Sequence, residues 1–254
     1  MKKIFKWSLI VTLITGGINL NECKAQLLAA QTAMQSLYKI YDSLPFITFD
    51  VKYTYSSDTL YNDFAHDEMT GTYTMNGKKA KFTMGDIEYM QNDSFFIAAF
   101  HKDKMIIVSN ARQSNAGGYM PLRGAIDSLL NAYATHYTIT VLNNTGDSIG
   151  YIRFVRSDSI AQFNNFTINF SKKRNCITNL TYDYSEQPVL PDSLMARPVM
   201  NKARHRTLKI DFIHYRFDNF SESVYDTNNY IWFEDGIGKS VAKLEGYKVY
   251  DARQ

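Results

Sequence analysis

Gly236-Ile-Gly-Lys-Ser240 ends as a phosphate-binding loop does, with glycine, lysine and a hydroxyl residue in a row. A loop that cradles phosphates with backbone N–H groups needs a further glycine at its head, and Phe233 stands there. The same glycines miss the dinucleotide fingerprint, because Val241 occupies the third glycine position. No Gly-x-Ser-x-Gly elbow and no His-Glu-x-x-His pair occurs. His66, His101, His136, His205 and His214 share no metal-ligand spacing on one helix or strand face. Asp67-Glu68 and Asp86/Glu88 are paired carboxylates, and they read as solvated charges beside strands rather than an acid and base across a cleft. Cys176 follows Lys172-Lys173-Arg174, charges that lower a thiol pKa, yet a lone cysteine among strands reads first as a small buried residue. These absences predict a protein that is not an enzyme and needs no cofactor or metal.

What remains is chemistry of contact. The chain has 254 residues, 28 Lys and Arg against 25 Asp and Glu, and ten methionines, 18 tyrosines and 16 phenylalanines. Residues 1–25 hold four lysines and one glutamate, so removing them leaves 24 bases and 24 acids. A neutral chain has no global field to capture nucleic acid. Locally, Arg197, Lys202, Arg204, Arg206 and Lys209 form a basic stretch with no acid among them, suited to anionic headgroups or an acidic partner. Aromatic residues and methionines fall at alternating strand positions, where a sheet face lined with them makes an apolar pocket.

The elements that position these residues follow from period. Residues 1–25 read as a secretory signal: Met1–Lys6 is positive, Trp7 to Leu20 is mostly apolar, and Cys23 and Ala25 flank a cut before Gln26. Glu22 stands where a lipidated Cys23 would need a small neighbour, which disfavours lipidation. The apolar stretch is too short to span a bilayer, and no later segment is long enough. The expectation is an exported, periplasmic protein that is not integral to the membrane.

Leu27, Ala30, Met34, Leu37, Tyr38 and Tyr41 have helical spacing, closed by Pro45. The period then becomes two: Phe49, Val51, Tyr53 and Tyr55 alternate with polar residues. Tyr73 and Met75 run into Asn76-Gly77, a hairpin signal, and Ala80, Phe82 and Met84 return on one face. Phe95–Phe100 and Met105–Val108 are continuous apolar runs, read as a hairpin buried on both faces or covered by a helix. Pro121 opens a second helix with Leu122, Ile126, Leu129, Leu130 and Tyr133 on its stripe. Strands resume at Tyr137, break at the Pro-containing excursion 186–206, and return from Leu208. No linker divides residues 26–254, so they read as a single domain. The order predicts an α+β fold: one large curved antiparallel sheet, an incomplete β-barrel, with two or three helices on its concave face.

This element order resembles the periplasmic lipoprotein-carrier superfamily, LolA/LolB/RseB-like. The resemblance runs through the signal segment, the helix Leu27–Asp42, the strand Phe49–Tyr55, Gly71-Thr-Tyr-Thr-Met-Asn-Gly77, Lys81-Phe82 and the Phe95–Val108 hairpin. It implies an open barrel lidded by helices whose cavity holds acyl chains or a partner's lipid. Where the family tends to an aromatic/Arg strand and an Asp-Gly turn, this chain has Lys81-Phe-Thr-Met84 and Asn92-Asp93-Ser94, so no functional residue is carried over. The expected function is a binding or carrier protein for acyl chains or a lipidated partner, with Phe49, Val51, Tyr53, Tyr73, Met75, Phe82 and Met84 facing the cavity. The alternative is an envelope interaction or sensor module on the same fold, meeting a protein partner through Arg197, Lys202, Arg204, Arg206 and Lys209.

Overall fold

The computed structural model describes residues 24–39, 41–42, 46–58, 64–111, 126–127, 130–131, 134–142, 148–158, 163–186 and 204–253. The signal segment up to residue 23, Arg197 and Lys202 lie outside the described residues.

Helix α1 covers residues 24–39 and 41–42. The strands are β1 (Ile47–Asp58), β2 (Phe64–Asn76), β3 (Lys79–Met84), β4 (Ile87–Gln91), β5 (Phe95–Phe100), β6 (Met105–Asn110), β7 (Tyr137–Leu142), β8 (Ile149–Arg156), β9 (Asn165–Ser171), β10 (Cys176–Glu186), β11 (Arg204–Arg216), β12 (Ile231–Glu234), β13 (Ile237–Ser240) and β14 (Lys248–Asp251). Twelve of them form one open sheet in the order β14-β6-β5-β4-β3-β2-β1-β11-β10-β9-β8-β7, and β12–β13 is a separate hairpin. All pairings are antiparallel except β14 beside β6. The β2–β3 loop is Gly77-Lys78, one residue later than the Asn76-Gly77 expected, and the faces are unchanged because the pairing sum moves by two. Of the two or three helices expected, α1 is the one long helix described. Residues 126–127 and 130–131 of the second are helical, and Ile126 and Leu130 join the same core as α1.

The sheet is buried on opposite faces in its two halves. On the inner face, α1 sets Ala30, Met34, Leu37, Tyr38 and Tyr41 against Phe49, Val51, Phe154, Phe166, Ile168, Leu180 and Ile210. On the outer face of the other half, Met90, Ile97, Ala99, Ile106 and Val108 pack under Tyr225, Tyr230, Ile231 and Leu244 of the C-terminal segment. That segment is also held by polar ties. Asn92 accepts from the N–H groups of Ser94 and Phe95 and donates to the Tyr225 carbonyl and Thr227 Oγ1. Glu88 takes Lys81 at 2.6 Å, His101 at 3.4 Å and the Tyr230 hydroxyl, while Tyr247 hydrogen-bonds His101 Nδ1 at 3.0 Å. Burial raises the Glu88 pKa, but these bonds outweigh it and hold the carboxyl below the usual range.

Two bulges aim side chains that strict alternation would turn outward. An extra residue in β11, with His214 at φ 54°, places both Phe212 and Tyr215 inward. An extra residue in β10 does the same for Ile177 and Leu180. The bulged Ile177 backbone is then satisfied by a closed ring: Ile177 N–H donates to Tyr41 at 3.1 Å, and Tyr215 donates to the Ile177 carbonyl at 2.7 Å. Tyr215's proton is thereby used, so Tyr41 donates to Tyr215 across 2.7 Å. A buried apolar side chain contributes roughly 1.5–3 kcal/mol and a hydrogen bond about 1, so apolar burial docks α1 and the ring sets where it docks.

Gly71 is required by close approach. A Cβ there would lie 2.7 Å from the Phe82 ring and 2.6 Å from the Thr83 carbonyl oxygen. Phe82 therefore lies across β2 only because β2 has no side chain at that point.

Two expectations follow from these contacts. Tyr41→Phe and Tyr225→Phe delete the same atom with opposite results. The first strips the acceptor from a buried N–H and lowers unfolding free energy by about 1–3 kcal/mol. The second removes a buried hydroxyl without a hydrogen-bond partner among the described residues, and leaves stability equal or higher by about 1 kcal/mol. Urea unfolding of both variants reads the difference. Gly71→Ala must push β3 away, lowering the urea midpoint by the equivalent of about 1–3 kcal/mol and reducing the near-ultraviolet circular dichroism of the aromatic rings.

Candidate functional site

Residues paired across a sheet point to the same face, so register alone defines rows. One row reads Phe49–Tyr73–Phe82–Tyr89–Ala98–Ile107–Tyr250 across seven strands of the inner face. Its neighbour reads Val51–Gly71–Met84–Ile87–Phe100–Met105–Lys248. The row on the other side, Ile47–Met75–Ala80–Gln91–Phe96–Ser109, is interrupted by Gln91. The rings form a ladder: centroids lie 5.3 Å apart for Phe49–Tyr73, 4.1 Å for Tyr73–Phe82, 6.3 Å for Phe82–Tyr89 and 5.9 Å for Tyr89–Phe96, all stacked.

Burial is uneven along this strip, with Ala98 4% exposed in its middle, and is least at the sheet edge. Phe49 is 0% exposed beneath α1, Phe82 9%, and Tyr250 at the sheet edge 51%. Between them Met84, Ile87, Tyr89, Phe96, Phe100, Met105 and Ile107 are half-buried. The core of β4–β6 lies on the other face, which leaves this one as a partly open apolar surface of aromatic edges and methionine. Apart from the strip, a cavity of about 880 Å³ lies between α1 and β7–β9, lined by Leu28, Ala29, Ala33, Val141, Phe170 and Lys172.

The seven residues expected to face a cavity are therefore on one face, in adjoining rows, with Tyr53 opposite Met69 beyond the Val51 row. They do not play one part. Phe49, Val51 and Met75 are core under α1, while Tyr53, Tyr73, Phe82 and Met84 border the strip. Burial raises the hydroxyl pKa values of Tyr53, Tyr73 and Tyr182, the last to about 12, so these groups stay neutral. The open part, from Ile87 to Tyr250, was not among the expected residues. Its signal was the alternation Ile87-x-Tyr89, masked by reading Asp86 and Glu88 as surface charges.

The described residues of the basic stretch, Arg204, Arg206 and Lys209, do not share one face. Arg204 lies in β11, and Arg206 pairs with Ser57 on the inner face. Lys209 pairs with Thr54 on the outer face, bound to Asp211 at 2.8 Å. Among the described residues no three His, Cys, Asp or Glu groups could hold a metal. His101, His136 and His214 each meet a different carboxylate, Glu88, Asp158 and Asp50, in three separate places. Cys176 is 2% exposed, and its burial raises the thiol pKa more than Arg174 lowers it. No described helix is long and apolar enough to cross a membrane.

No family model and no curated protein matches the chain by sequence. Solved structures are similar to it. An uncharacterised conserved protein of Thermus thermophilus superposes with a TM-score of 0.40 at 6% identity, over 89% of this chain and 99% of that one. A LolA superfamily protein of Nitrosomonas europaea gives 0.32 at 8% identity, over 79% and 98%. The Pseudomonas aeruginosa MucA/MucB complex gives 0.37 at 10% identity, over 78% of this chain and 61% of that one.

Proposed function

We propose that the protein is a non-enzymatic binding or carrier protein of the cell envelope that holds acyl chains, free or attached to a partner, on the inner face of β3–β6. The observation that carries this reading is the strip of half-buried apolar residues in that half of the sheet, whose core lies on the opposite face. Such a surface gains by covering. Each methylene buried against it contributes about 0.8 kcal/mol, so a long chain binds without any strong polar contact. Aromatic edges and methionine side chains tolerate a ligand of variable shape. Binding is reversible burial, with movement of the covering segments admitting and releasing the chain.

The test is uptake of a fluorescent fatty acid by the purified protein. Saturable binding is expected, with Tyr89→Asp and Phe100→Asp each weakening it at least tenfold. Trp232→Asp, on the exposed side of the β12–β13 hairpin, leaves it unchanged. A protein that takes up no probe and carries no lipid by native mass spectrometry is not such a carrier.

A further inference from the structure

The strip has a direction, and the direction selects a ligand. From β3 to β14 the inner face carries Ala80, Phe82 and Met84, then Ile87, Tyr89 and Gln91, then Phe96, Ala98 and Phe100, then Met105, Ile107 and Ser109. None is charged. On β14 the same face carries Lys248 and Tyr250, both exposed. Lys248 stands beside Met105, so an ammonium ends the row Met84–Ile87–Phe100–Met105. Among the described residues it has no ion-pair partner. The parallel pairing of β14 with β6 puts it there, fixed by the Lys248 N–H to the Lys104 carbonyl at 2.9 Å. Lys102 and Lys104 lie in the adjoining β5–β6 turn, with Asp103 as the acid between them. Of the other acids nearby, Asp86 lies in the β3–β4 turn, while Glu88 and Asp251 are on the outer face, engaged by Lys81 and by Arg253.

We infer that the preferred ligand is a free long-chain fatty acid in its carboxylate form, lying across β3–β6 with its tail toward Phe82 and its carboxylate on Lys248. This rests on the carrier reading above and narrows it. Length fits. Five strands at about 4.8 Å spacing span roughly 19 Å. A zigzag chain with bonds near 1.5 Å advances about 1.3 Å per carbon, so roughly fifteen carbons cross that span. Polarity fits as well, because the strip is driest beneath α1 and most open at the edge strand, where the charge stands. Single ammonium groups, with no arginine among the described inner-face residues of β3–β6 and β14, suit one negative charge better than a phosphate.

The experiment compares two ligands of equal length, myristate and tetradecanol, as displacers of the same fluorescent fatty acid at low salt. The wild-type protein is expected to bind the acid at least tenfold more tightly than the alcohol, with the preference shrinking as salt is raised. Lys248→Glu and Lys248→Met are each expected to weaken myristate at least tenfold and to leave tetradecanol within twofold, which also reports that both variants are folded. Equal affinity for acid and alcohol in the wild type overturns the inference. So does an acid preference that survives both substitutions, or a loss that falls equally on both ligands. Failure of the wild type to bind either ligand is a different result, since it removes the carrier reading itself.

Discussion

The structure depends on side-chain alternation propagated by strand pairing, with two bulges resetting it in β10 and β11. Each residue of the sheet faces one side or the other, and pairing propagates that choice from strand to strand. In β1 and β7–β11 the inward core is built mostly of Phe, Ile, Leu, Tyr and Val, packed against α1. In β4–β6 the large buried apolar side chains Met90, Ile97, Ile106 and Val108 face the other way. One continuous sheet therefore serves two cores on opposite faces. The hairpin Phe95–Val108, apolar at every strand position, belongs to the outer core and also offers its inner residues, Phe96, Phe100, Met105 and Ile107, half-covered.

Holding this arrangement takes two kinds of interaction of different size. Apolar burial supplies most of the free energy, at roughly 1.5–3 kcal/mol for each large side chain. Hydrogen bonds contribute less but fix geometry. The Tyr41–Tyr215–Ile177 ring locates the end of α1 over the β10 bulge. Asn92 and Glu88 locate the C-terminal segment over the outer face. Asn92 also accounts for the departure of Asn92-Asp93-Ser94 from an ordinary Asp-Gly turn: its amide is shared between its own turn and the segment packed over it.

Much of this is legible in sequence wherever one face is wet. Phe49, Val51, Tyr53, Tyr73, Met75, Phe82 and Met84 alternate with polar residues, and all seven share a face. The stripe of α1 is equally plain, since Ala30, Met34, Leu37, Tyr38 and Tyr41 are all buried. Legibility fails where both faces are apolar or where parity breaks. Nothing local distinguishes the two sides of Phe95–Phe100. A bulge at His214 reverses the side on which Tyr215 falls, and only pairing with β1 reveals it. The basic residues Arg206 and Lys209, close in sequence, face opposite sides because their spacing is odd.

The sequence by itself determined a β-rich chain, the amphipathic stripe of α1 and an apolar strand face at named residues, because period and motif are local properties; the second helix it predicts is described only at residues 126–127 and 130–131. The tertiary structure decided which face of each apolar strand became core and which stayed partly open, because that depends on where α1 and the C-terminal segment dock. It also decided that Lys248 stands at the end of an apolar row. That residue lies more than 140 positions from Met105, its neighbour in space, and only the parallel addition of a strand at the sheet edge brings the two together.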